Sequence, residues 1–301
     1  MIVSPSRPVT LPEAVTFDLS PRSGGEPYRI FLRVPPGEPP AGGWPILYLL
    51  DGNAVFATAV DALRVQSAWP LGTGVHDGVI VGVGYPTDAP YDSVRRSWDL
   101  GPPPGATYPP HSDGGPDVRT GGADAFLDFI EQELKPEIAR RTSVDASRQA
   151  IFGHSFGGLC ALHGLFTRTE AFSSWIAVSP TIYWPDTDLL GKAAQFERNK
   201  ARPAGLRVLI SAGEFEQRLA PFQIGAPDED KRRAAHARSR TVDLAREMAE
   251  RLSGLDGVDC AFELIGGETH MSVLPTAINQ SIRFFFGYSP PTSDRLKPKM
   301  T

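Results

Sequence analysis

Long apolar runs are missing from this 301-residue chain: none approaches the roughly 18 residues of a membrane-spanning helix. Cysteine is scarce as well. Cys160 and Cys260 cannot build a disulfide framework, and each lies in an apolar stretch (GLCALHGLF, VDCAFELI) that reads as core carrying a free thiol. Positive charge is not in surplus, and a net charge of −5 with both signs interspersed leaves no footprint for nucleic acid. The start, MIVSPSRPVTLPEAV, lacks a basic segment followed by an apolar one, so no secretory signal is legible and a cytoplasmic protein is expected. Histidine, cysteine and acidic residues show no C-x-x-C or H-E-x-x-H spacing, so no metal is expected. VGVGYP stops short of G-x-G-x-x-G and no P-loop is present, which removes the nucleotide cofactors.

Glycine and proline are plentiful. The 30 glycines and 29 prolines make just under a fifth of the chain, below the roughly 25–30% of disordered sequence. With 41% hydrophobic residues beside them, they describe a well-packed protein with many ordered loops, where sites tend to sit.

Strand and helix patterns alternate. Val15–Leu19 and Tyr28–Val34 read as an antiparallel hairpin. Pro45–Leu50 and Val79–Val83 are continuous apolar runs, as expected of strands buried on both faces. Gln149–Phe152, Trp175–Val178, Arg207–Ala212 and Cys260–Ile265 complete the strands. Helical spacing marks Ala54–Gln66, Asp124–Leu134 (with Pro136 at its end or kinking it), Leu159–Phe166, a long charged Lys231–Leu252 and Val273–Phe286. The segment from Tyr85 to Gly122 reads as one long loop, whose proline-heavy part, Pro102–Pro116, is assigned to the mouth of a site. The pattern predicts one α/β domain over residues 1–301, with its core at about 15–287 and a tail at 288–301. It has a mostly parallel sheet, an N-terminal antiparallel hairpin and helices on both faces. Functional groups in such a sheet stand beyond the carboxyl ends of the strands.

One of those ends carries Gly153-His154-Ser155-Phe156-Gly157-Gly158, a G-x-S-x-G sequence between a predicted strand and an apolar helix. That is the context of a nucleophile elbow in the α/β-hydrolase fold, with Gly153 and Gly157 sparing a clash in the turn. A serine hydroxyl needs a base. In the chain order Ser, acid, His, the histidine after the last strand, His270 in GGETH, takes that role. His76, His111, His154 and His163 come too early or too close, and His236 lies in the charged helix as a solvated residue. The acid falls in GEFEQ. Glu216 reaches further toward His270, but Glu214 stays an alternative, since two residues apart in extended chain point to the same side. Asp186 and Asp188 are weaker candidates. The oxyanion donors expected are the N–H of Phe156 and that of Asn53 or its neighbour Ala54, with helix capping as the competing role of the Asn53 side chain.

LYLLDGNAVF, VGVGYP, RRSWDL, TGGADAFLDFIEQELKP, GHSFGGLCAL, VSPTIYW, GEFEQ and GGETHMSV together resemble the esterase-D-like group of α/β-hydrolases, across roughly residues 15–287. That group includes bacterial esterases that open the trilactones of enterobactin, salmochelin or bacillibactin. The resemblance implies Ser155 as nucleophile, His270 as base and the GEFE segment as the acid loop. It places Arg96 near the acyl site, though Trp98 stands where the group has tyrosine and the threonine before proline is missing, so a salt bridge to Asp99 or another acid competes. Tyr183 and Trp184 match an aromatic pair that lines the pocket or packs the core. A ferric tris-catecholate is anionic, so Arg95, Arg96, Lys231, Arg232 and Arg233 are candidates to meet it. The expected function is a serine carboxylic-ester hydrolase, without cofactor, acting on a small-molecule ester such as a ferric siderophore. The alternatives are a general acyl or aryl esterase or acyltransferase of the same fold, and a non-catalytic binding module.

Overall fold

The computed structural model describes residues 6, 8–110 and 114–288; His111 and the tail beyond 288 lie outside them. In chain order, β1 (Ala14–Leu19) and β2 (Tyr28–Arg33) form the N-terminal hairpin. β3 (Trp44–Leu50) leads into α1 (Gly52–Ser67) and the single turn α2 (Pro70–Thr73), and β4 (Val79–Gly84) into α3 (Ser93–Leu100). β5 (Thr107–Tyr108) and β6 (Val118–Arg119) pair as a short ribbon. α4 (Ala123–Phe129) and α5 (Lys135–Arg141) precede β7 (Val144–His154), α6 (Phe156–Thr167), β8 (Ser174–Val178) and α7 (Leu189–Arg198). β9 (Leu206–Gly213), α8 (Glu229–Ser239), α9 (Thr241–Ser253), β10 (Val258–Ile265) and α10 (Val273–Phe286) complete the chain.

Eight strands share one sheet in the order β1-β2-β4-β3-β7-β8-β9-β10, parallel from β4 to β10 and antiparallel at the hairpin side. The strand order reverses at β3, between β4 and β7. The loops leaving β3 and β7 therefore diverge to opposite faces and leave a crevice at their carboxyl ends. Helices cover both faces, which is why β3 and β4 are apolar at every position. On β3, Ile46, Tyr48 and Leu50 join one core cluster, and Leu47 and Leu49 join the other, with α1 and α10. Each fully buried side chain of this size contributes roughly 1.5–3 kcal/mol over leaving it exposed. Cys160 is buried and Cys260 half-buried, both as free thiols, and burial raises the Cys260 thiol to about 12. Among the described residues no helix is long and apolar enough to cross a membrane.

Three expectations need correction. The segment after β4 is not one loop. Asp92 accepts from the Arg95 amide at 3.0 Å and starts α3, and the ribbon β5–β6 follows. The helix over Asp124–Leu134 runs on to Arg141 through a π-turn at Ile130–Leu134. That wider turn lets Pro136, which has no N–H, enter at the start of α5 where none is required. The long charged helix is two helices, broken at Arg240 in the left-handed region (φ 43°). α8 buries none of its residues, whereas α9 buries Ala245, Met248, Ala249 and Leu252, so only the second half has an apolar face to turn onto the sheet. α7 (Leu189–Arg198) forms where no helix is expected from the sequence.

Candidate active site

β7 ends in a turn so sharp that Ser155 takes φ 59° and ψ −115°, far from the common backbone regions. The turn is held by the Ser155 amide on the Val178 carbonyl at 2.9 Å and the Leu159 amide on the Ser155 carbonyl at 2.9 Å. A Cβ on Gly153 would come within 2.0 Å of the Gly157 carbonyl oxygen, so glycine is obligatory there. The second tight position is Gly158, whose Cβ would lie 3.0 Å from Pro180. It is not Gly157, whose nearest neighbour at 3.5 Å is an ordinary contact.

The loop after β10 brings His270 over Ser155, with Nε2 3.0 Å from the serine Oγ. The loop after β9 supplies Glu216, whose Oε2 lies 2.6 Å from His270 Nδ1. An ionised carboxylate only accepts, so Nδ1 carries the proton and Nε2 is left to accept from the serine hydroxyl. Glu216 is 4% exposed. Its other oxygen accepts from the Gly213 amide at 2.7 Å and the Ser179 hydroxyl at 2.5 Å. Glu214 goes elsewhere, accepting from the Gly267 amide at 2.7 Å and pairing with Arg218. Asp186 binds the Tyr108 hydroxyl at 3.2 Å.

His154 sits beneath this chain of bonds. Its Nε2–H donates to the His270 carbonyl at 2.8 Å, and the two rings lie 4.7 Å apart. Burial, His270 and Arg96 push its pKa well below the usual histidine value, so it is neutral. His163 is spent on Asp124, with the two 2.8 Å apart.

Arg96 forms a bidentate pair with Asp51, both bonds 2.8 Å, and not with Asp99. Burial works against its charge, but Asp51 more than offsets this and its pKa is raised. The guanidinium lines a pocket of about 210 Å³ on Ser155, together with Tyr91, Ser93, His154, His270 and Met271. Asp51 was not singled out in the sequence, although it stands directly at the end of β3. Ser179, just past β8 at φ 47°, was missed in the same way.

The Asn53 side chain does not cap α1. It bonds the Tyr85 amide at 2.8 Å and the Tyr85 and Thr87 carbonyls at 3.0 and 2.9 Å, strapping down the segment after β4. The Ala54 amide is taken by the Asp51 carbonyl at 2.9 Å, which leaves Asn53 as the donor to consider beside Phe156 at the start of α6.

A larger cavity, about 680 Å³, lies on the other side of His270 and Met271. Tyr183, 41% exposed, lines it. Trp184 lines it too while packing edge-on against Phe156 and against Tyr108 of β5, so the two readings of the aromatic pair are divided between its members. Of the basic candidates, Arg232 reaches this cavity. Arg233 is paired with Glu229, and Arg95 stacks over Tyr28 and Tyr85. His236, expected in solvent, is half-buried against the cavity wall.

A family model described as "Putative esterase" matches residues 21–268. The ferri-bacillibactin esterase BesA of Bacillus subtilis is 39% identical over 282 residues, 93% of this chain and 91% of that protein. The siderophore triacetylfusarinine C esterase of Aspergillus fumigatus is 36% identical over 294 residues, 93% of this chain and 95% of that one. Among solved structures, the siderophore hydrolase EstA of Aspergillus nidulans superposes with a TM-score of 0.81 at 30% identity, over 94% of this chain and 97% of its own.

Proposed function

The chain belongs to this esterase family and is a hydrolytic esterase, and from that premise we propose that it cleaves siderophore esters through an acyl-enzyme on Ser155. The observation that carries the mechanism is the hydrogen-bonded chain from Ser155 through His270 to Glu216. Ser155 Oγ attacks the ester carbonyl while His270 Nε2 takes its proton. Glu216 holds the ring in the required tautomer and stabilises the imidazolium. The oxyanion is received by the N–H groups of Phe156 and Asn53, each such donor contributing roughly 3 kcal/mol to the transition state. His270 returns the proton to the departing alkoxide, then activates the water that releases the acid. Arg96, fixed by Asp51, borders the acyl pocket as a positioned cation. The substrate class follows the relatives, which are esterases of ferri-bacillibactin and triacetylfusarinine C.

The test is incubation of the purified protein with ferric and iron-free bacillibactin, followed by mass spectrometry, beside p-nitrophenyl butyrate. Opened trilactone and loss of both activities in Ser155→Ala are expected. Turnover surviving in Ser155→Ala overturns the mechanism. An intact trilactone beside rapid p-nitrophenyl turnover shifts the reading to a general acyl or aryl esterase.

A further inference from the structure

The larger cavity and the pocket on Ser155 share two lining residues, His270 and Met271, which stand between them. A substrate too big for about 210 Å³ must cross that divide. The wall it then meets is α8, which buries no residue and whose presence there core packing does not explain. Five α8 residues line the cavity, and three of them, Arg232, His236 and Arg238, carry basic side chains. Arg232 is paired with Asp228 at 2.8 Å, but Arg238 makes no ion pair among the described residues. The Nδ1 of His236 is buried there without a hydrogen-bond partner. The one carboxylate lining the cavity, Glu216, is turned inward and spent on His270. A chain of net charge −5 therefore presents a basic concave wall beside its nucleophile. A concave surface of one sign focuses potential on whatever enters it.

We propose that α8 is the selectivity element of this esterase, with Arg232, His236 and Arg238 receiving the anionic aryl oxygens of a ferric catecholate ester while its scissile carbonyl reaches Ser155 past Met271. The inference rests on the siderophore reading above. It goes further in naming the residues that separate an anionic ferric catecholate from a neutral ferric hydroxamate of similar size, which offers the two arginines no charge to neutralise. Burial and Arg232 hold His236 below the usual histidine pKa, so it serves as a neutral hydrogen-bonding group.

The probes are ferric enterobactin, an anionic tris-catecholate, and ferric triacetylfusarinine C, a neutral tris-hydroxamate. Binding is read in Ser155→Ala by tryptophan quenching, and turnover is read in the active protein by mass spectrometry. Arg238 is exposed, so reversing its charge does not threaten folding. Arg238→Glu is expected to weaken ferric enterobactin about tenfold in Kd and to raise its KM with little change in kcat. The preference over ferric triacetylfusarinine C falls by the same factor, and Arg238→Lys restores it. Raising salt weakens ferric enterobactin binding to the parent protein and does so less in Arg238→Glu. The proposal is overturned if Arg238→Glu leaves the enterobactin Kd unchanged, if it weakens both ferric esters alike, or if neither ester binds. Charge-dependent binding without hydrolysis of either ester would overturn the siderophore-esterase reading and leave the α8 wall standing.

Discussion

Two buried carboxylates, one in each half of the sheet, are treated very differently. Glu216, at the end of β9, has three donors on its two oxygens. Asp99, on α3 beside the hairpin, is 7% exposed, and its Oδ2 has no partner. Burial pushes its pKa up to about 6, against the pull of Arg95, Tyr28 and Tyr85. The first carboxylate is held in place by donors on both oxygens, and the second, with too few donors for its burial, becomes a weak acid inside the protein. Asp51 lies between them, buried yet matched to a single bidentate guanidinium.

The sharpest way to break the comparison is at the site itself. Ser155→Ala is expected to cost about 10⁴-fold or more in kcat for p-nitrophenyl butyrate. Glu216→Gln removes the acceptor that sets the tautomer of His270 and should cost about 10³-fold. Its neighbour Glu214→Gln, whose ion pair with Arg218 is exposed, should cost less than about threefold. Equal effects of the two glutamate variants on kcat would abolish the distinction drawn between them.

Asp51→Asn leaves the Arg96 charge buried without its counter-ion and should destabilise the fold by about 3 kcal/mol in urea unfolding. The opposite sign is expected at Asp99. Its folded pKa of about 6 lies above the ordinary 3.8, so within that window the native state holds a proton that the unfolded chain has lost. Stability therefore falls as pH rises through the window, and the cost is complete above it. Asp99→Asn should be the more stable protein at pH 7, by about 3 kcal/mol, with the advantage gone below roughly pH 4. A destabilised Asp99→Asn at neutral pH would mean that Asp99 is as well satisfied as Glu216.

The legible parts of the molecule share a cause. Strands buried on both faces announce themselves as apolar runs, so β3, β4, β8 and β9 lie within a residue or so of where the sequence puts them. α3 is not legible in the sequence although Asp92 caps it, because the prolines around it outweigh about two turns of polar helix. The break between α8 and α9 is hidden because no glycine or proline marks Arg240, and the change of direction comes from α9 turning its apolar face onto the sheet. The choice between Glu214 and Glu216 stayed open on the premise of extended chain. Residues 214–216 instead form a 3₁₀ turn, in which positions two apart point away from each other.

The sequence by itself determined the reaction type. Ser155, the GEFE segment and His270 stand at strand ends in the order that the proposed mechanism needs, and that order is a local property of turns and glycines. Which side chains meet was decided by tertiary structure. The pairing of Arg96 with Asp51, the burial of Glu216 under Ser179 and the approach of α8 to the cavity beside His270 join residues far apart in the chain. Charge and hydrogen-bond partners act across space, and no spacing along the chain encodes the distances that select among them.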